Sequence, residues 1–195
     1  MMKNVFYLAI LSLLIVACKD KKQNQSVDQH QNHKMEESTS NSKKTLSPHK
    51  YAMAMIGDAH IHIDYSAPSV RGRIIFGGLL AYGEVWQSGA HNATWIETNR
   101  DILINENLLK AGKYGFFTIP TKDKWTIILN KNWNQHGKDD YNVDDDVLRF
   151  DVTPEISEQI TEQLTYQVEK LNNKEGIISL SWEKVSLSFP FVLSK

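Results

Sequence analysis

The sequence predicts a mainly β fold, a single jelly-roll-like β-sandwich, carried behind a leader and a polar tether. Three observations predict it. Residues 60–65 alternate strictly, with His60, His62 and Asp64 on one face and Ile61, Ile63 and Tyr65 on the other, as in a strand with one buried side. Short runs rich in β-branched and aromatic residues then recur to the end of the chain, separated by Gly, Asn, Asp and Pro. Many short strands with regular turns favour two packed sheets. Finally, the only cysteine of the 195 residues is Cys18, so the folded part holds no disulfide and no thiolate ligand and must rest on its apolar core.

After the first strand, Gly72, Gly77, Gly78 and Gly83 punctuate a loop-rich stretch. Residues 93–98 read as a strand. Residues 101–104 and a turn at 105–107 read as a hairpin. A turn at 110–112 leads into a strand over 113–119, which Pro120 stops, and Lys122-Asp123 turns the chain into another over 124–129. Residues 147–152 form a further strand. Thr153-Pro154-Glu155 has the form of a helix start, and Ile156, Ile160 and Leu164 recur at helical spacing, so a short helix is expected near 154–163. Strand structure resuming from Leu164 is the alternative. Residues 177–182 and 185–192 close the chain as an apolar hairpin.

The ends of the chain differ from its middle. Lys3 precedes an apolar run over 5–16 that suits a signal peptide and is short for a membrane span, which needs about 20 apolar residues. The run ends in Leu14-Ile15-Val16-Ala17-Cys18, which resembles a bacterial lipobox. The resemblance implies cleavage after residue 17, acylation (palmitate among the chains) at Cys18, and a lipid membrane as the first partner. The expected location is the bacterial cell envelope, at the outer membrane. Residues 18–50 are polar, with almost no apolar side chains, and read as a flexible linker; residues 51–195 are the globular domain. A net charge of -1 supplies no basic face for nucleic acid.

A series of words runs through the domain in order. Tyr65-Ser66-Ala67-Pro68-Ser69-Val70-Arg71-Gly72-Arg73 is followed by Phe76-Gly77-Gly78, Tyr82-Gly83-Glu84-Val85-Trp86 and Gly89-Ala90-His91-Asn92-Ala93-Thr94. Ala111-Gly112-Lys113-Tyr114, Phe117-Thr118-Ile119-Pro120, Trp125-Thr126-Ile127-Ile128-Leu129-Asn130, Asp146-Val147-Leu148-Arg149 and Trp182-Glu183 complete it. Together they resemble the family called domain of unknown function 2911. The resemblance implies an exported or lipid-anchored envelope protein and no established reaction. The family's Tyr-Ser-Arg-Pro pattern is departed from at Ala67, where arginine is common.

Three sets of residues carry chemistry. The segment from Arg71 to Asn92 combines Arg71, Arg73, Tyr82, Trp86 and Asn92 with glycine-rich turns; guanidinium forks and aromatic faces are what a ligand groove needs. His60 and His62 share a strand face and, with His91 or His136, are the candidate ligands for a divalent transition metal. Asp140, Asn142, Asp144 and Asp146 alternate as in a calcium loop, but Asp145 stands where such a loop needs glycine, so a solvated loop is the better reading. Trp125 and Trp182 lie in apolar runs and read as core, whereas Trp95 and Trp133 are candidates for a sugar platform. No nucleophile or nucleotide motif is present. The expected function is a ligand-binding or interaction module whose partner is an envelope glycan, peptide or protein. A metal-dependent enzyme with a metal-activated water, and a purely structural envelope protein, are the alternatives.

Overall fold

The computed structural model describes residues 45–194. The expected leader, Cys18 and most of the tether, including His30 and His33, lie outside the described residues. Among the described residues, ten strands form two antiparallel sheets. The first sheet takes β1 (His49–Ile56), β2 (Ala59–Ser66), β3 (Trp95–Thr98), β6 (Gly112–Ile119), β7 (Trp125–Asn130) and β8 (Asp146–Val152), in that spatial order. The second takes β4 (Ile102–Ile104), β5 (Asn107–Leu109), β9 (Glu155–Lys170) and β10 (Glu175–Leu193), in the order β5-β4-β10-β9. The connectivity is a meander with one excursion, β4–β5, into the second sheet, rather than two interleaved Greek keys. The sandwich core joins Ile61, Ile96, Phe116 and Ile127 of one sheet to Leu164, Ile178, Leu180 and Phe189 of the other, all buried.

Alternation explains most of this. In β2, Ala59, Ile61, Ile63 and Tyr65 are buried and the residues between them are half-buried. Hence His60 and His62 face away from the core, as their spacing predicts. β1, which begins at His49, is not among the strands expected from the sequence. It is an edge strand whose outward positions are Tyr51, Met53 and Met55, all more than half exposed, with alanines behind two of them. Ala and Met give a weak strand signal, and pairing with β2 over its whole length supplies what propensity lacks.

The helix expected near 154–163 is not formed. Residues 155–163 belong to β9, paired with β10. Ile156 and Ile160, which suggested the helical stripe, are 69% and 56% exposed, so their spacing buries nothing. An isolated helix of that length is marginal, while the β-branched and aromatic residues Thr161, Thr165, Tyr166 and Val168 suit a strand, and Tyr166 and Val168 pair with Leu180 and Ile178 of β10. The expected hairpin at 177–192 is also replaced. β10 runs unbroken through Lys184, and the interruption is a bulge at Glu183, whose φ is 56° and where the register with β9 shifts twice.

Candidate functional site

The connection between β2 and β3, residues 67–94, is long, carries no named strand of its own, and closes one end of the sandwich. Connections of this length in compact domains are usually functional. It is fixed rather than loose. Trp86 exchanges two backbone hydrogen bonds with Thr118 of β6, at 2.8 and 2.9 Å. The Val70 amide donates to the Glu162 carbonyl at 2.7 Å, and the Leu164 amide to the Pro68 carbonyl at 2.9 Å, tying the loop to β9. Behind it, the Ser88 carbonyl accepts from Thr94 Oγ1 at 2.9 Å and from Tyr166 Oη at 2.8 Å, while Ser88 Oγ donates to Thr118 Oγ1 at 3.0 Å. Burial pushes the Tyr166 hydroxyl far up, so it stays a donor.

This loop walls a cavity of about 450 Å³. Trp86 and Trp182 line it from the core side, Arg71 and Arg73 from the turn after Pro68, and Gln87 and His91 from the loop's return; Leu46, Leu79 and Leu80 add apolar surface. Arg71 and His91 both adopt left-handed backbone, with φ of 50° and 61°, as does Ser88 between them in sequence, at 54°. Such conformations cost about 1 kcal/mol or more each for a residue with a side chain, and they collect where surrounding structure holds a site in shape. Gly77 meets a related demand. Its φ is 82°, and a Cβ there would lie 2.5 Å from the Tyr82 ring.

The polar groups of the cavity are partly committed. Arg73 Nε donates to the Val70 carbonyl at 3.0 Å and its Nη2 to the Ser69 carbonyl at 2.6 Å. Arg71 Nη2 donates to the Leu46 carbonyl, and the Arg71 amide to Glu162 Oε1 at 3.0 Å. Trp86 Nε1 donates to the Gly89 carbonyl at 3.1 Å, and its ring stacks on Trp182 at 5.6 Å between centroids. Among the described residues the Trp182 indole N–H is buried and has no acceptor.

Of the residues expected to form a ligand groove, Arg71, Arg73 and Trp86 meet here, joined by His91. Trp86 is buried, so only part of its surface faces the cavity. Tyr82 packs on Gly77 at the surface, and Asn92 faces a separate, smaller cavity of about 110 Å³ with Asp64, Trp95 and Trp133. Sequence reasoning missed Leu46, Gln87 and Trp182. Trp182 was expected in the core and is buried there, but its unmet N–H has no signature in the sequence.

The histidines do not converge. The His60 and His62 rings lie 5.9 Å apart on the outer face of the first sheet. His62 is stacked between Tyr51 and Trp95, at 5.7 and 5.1 Å, and burial lowers its pKa. His91 lines the large cavity, and His136 Nδ1 lies 3.1 Å from Asp139 Oδ2. Among the described residues no group of three or more His, Cys, Asp or Glu side chains is arranged to hold a metal ion. The sugar platform is likewise taken up. Lys113 Nζ sits 3.2 Å from the Trp95 ring centre and 3.8 Å from that of Trp133, and His62 stacks on Trp95 as well.

Over residues 47–191 the chain matches the family model described as Protein of unknown function (DUF2911). The chain belongs to that family. No curated protein and no solved structure matches it. In this DUF2911 chain Ala67 is fully buried, and its amide donates to the Pro48 carbonyl at 2.9 Å. The cationic lining of the cavity comes from Arg71 and Arg73.

Proposed function

We propose that this protein is a ligand-binding module that holds a small molecule in the cavity beneath residues 67–94. The observation that carries the reading is a preformed cavity of about 450 Å³, within the range of small-molecule sites, whose wall is pinned by hydrogen bonds and holds strained backbone at two lining residues. Displayed from the outer membrane through an acylated Cys18, the module would present this cavity to solutes of the envelope; the lipobox at residues 14–18 supports that address. Two experiments test the reading. A fragment library screened by protein-observed NMR is expected to move the indole N–H signals of Trp86 and Trp182, with the shifts lost in Ala90→Phe, which adds bulk at a lining position. A library that leaves both signals in place contradicts the reading. Separately, Cys18→Ala is expected to move the protein from the membrane to the soluble fraction, and unchanged membrane association and processing contradicts the anchor.

A further inference from the structure

The chemistry of this cavity points to a class of ligand; the assignment rests on the ligand-binding reading above and narrows it. Charge comes first. The charged lining consists of Arg71 and Arg73, with His91 as a further donor, and no aspartate or glutamate lines the cavity. The other two arginines of the domain are matched, Arg100 with Asp58 and Arg149 with Asp146. Neither Arg71 nor Arg73 pairs with a carboxylate among the described residues. Both are instead anchored through backbone carbonyls, which fixes the guanidinium without neutralising it. A guanidinium carries five N–H donors, so each keeps donors to spare.

A second, independent observation lies deeper. Trp182 lines the same cavity, is 1% exposed, and its indole N–H is the one buried side-chain polar atom without a partner among the described residues. A buried donor left unmet costs about 1–3 kcal/mol, and such exceptions call for a cause. Its position has a visible origin. The bulge at Glu183 immediately follows it, held on one side by Glu183 Oε1 accepting from the Ile75 amide at 3.3 Å. Bulges re-aim neighbouring side chains and gather at functional sites. An indole N–H only donates, so what it lacks is an acceptor. Acceptor oxygens that also satisfy unpaired guanidinium groups belong to an anion.

A third observation sets the rest of the ligand. Leu46, Leu79 and Leu80 share the lining, and Leu79 is 51% exposed at the mouth. Inorganic phosphate would leave that apolar surface uncovered.

We propose that the cavity takes an organic anion with a short apolar body, its carboxylate or phosphate held by Arg71 and Arg73 and accepting from the Trp182 indole N–H.

The test uses the full chain carrying Cys18→Ala, so that no acyl group of its own competes. Four probes are titrated by calorimetry and by the indole N–H signals: octanoate, octyl phosphate, octanol and inorganic phosphate. Octanoate or octyl phosphate is expected to bind at least tenfold more tightly than both octanol and inorganic phosphate, and to shift the Trp182 indole signal. The tighter of the two tells carboxylate from phosphate. Arg71→Gln is expected to weaken that binding about tenfold, the loss of one hydrogen bond to a charged group, while Trp182→Phe weakens it with the fold kept. If Trp182→Phe fails to fold, the wild-type indole shift answers the same question. Octanol binding as tightly as the anions overturns the ligand class and leaves the cavity as a binding site. Inorganic phosphate binding as tightly as octyl phosphate overturns the apolar body. An unmoved Trp182 signal with tightly bound octanoate overturns the role of the indole. No binding of any of the four overturns the ligand class, and the ligand-binding reading falls with it only if the fragment screen is also silent.

Discussion

Two loops of this molecule gather polar side chains, and they use them in opposite ways. The acidic loop 138–146 closes on its own Asp146, while Asp139, Asp140 and Asp144 stay at the surface. The carboxylate of Asp146 is 5% exposed and accepts from Asn130 Nδ2 at 2.7 Å, Tyr141 Oη at 2.9 Å and Arg149 Nη1 at 2.6 Å. Burial, reinforced by Asp146, pushes the Tyr141 hydroxyl up to about 12, so it remains a donor at any working pH. Asn142 caps the turn Val143–Asp145 through its side chain. The loop 67–94, by contrast, commits its backbone and leaves side-chain donors unspent at Arg71, Arg73 and the Trp182 it covers. Clustering of polar residues is therefore a poor guide to a site. What separates site from scaffold is whether the polar atoms satisfy one another.

The largest expected effect falls on the satisfied loop. Asp146→Ala removes the common acceptor of three donors, and chemical denaturation should show a loss of about 2–4 kcal/mol. A change within about 0.5 kcal/mol would mean the loop is not closed on itself. Next, Tyr166→Phe deletes the hydroxyl bond to Ser88 behind the other loop and should cost about 1 kcal/mol in the same measurement. It should also loosen ligand binding, because that bond helps hold the cavity wall; an unchanged melt would show the wall is held without it.

Arg71→Gly sharpens the contrast further. It relieves a φ of 50° and gives up one bond to the Leu46 carbonyl, so stability should stay within about 0.5 kcal/mol while anion binding weakens at least tenfold. Marked destabilisation with binding retained would make Arg71 scaffold.

The smallest effect is the pH dependence at His62. Burial lowers its pKa below 6.5, so between the two values the unfolded chain binds the proton and the folded chain does not. Stability is therefore present above pH 6.5 and is lost as pH falls through the lowered pKa. His62→Gln should flatten that part of the stability-pH curve relative to wild type; an unchanged slope would contradict it.

Much of the fold was legible in the sequence because its central strands carry strong signals. The alternation at 60–65, Pro120 after β6 and the β-branched run of β7 each fix an element locally. β1 and the first half of β9 were not legible, since their partners decide them. Ala52 and Met53 have little strand preference of their own, and Ile156 and Ile160 fit a helical spacing that no packing rewards. The candidate site was half legible. Arg71, Arg73 and Trp86 announce themselves by type within a glycine-rich segment. Leu46 lies within the expected tether, and the partnerless N–H of Trp182 depends on a bulge that only pairing with β9 reveals. The metal expectation at His60, His62, His91 and His136 failed to assemble for a related reason. Spacing put two imidazoles on one face, but it could not show that Tyr51 and Trp95 enclose one of them.

On the proposal above, the partnerless Trp182 N–H donates to a ligand oxygen. The most direct measurement is a pair of crystal structures of the full chain carrying Cys18→Ala, with and without octanoate. The expected result is a carboxylate oxygen about 3 Å from Trp182 Nε1 and within reach of a guanidinium of Arg71 or Arg73. An ordered water bonded to Nε1 in both structures, with octanoate elsewhere or absent, would contradict it.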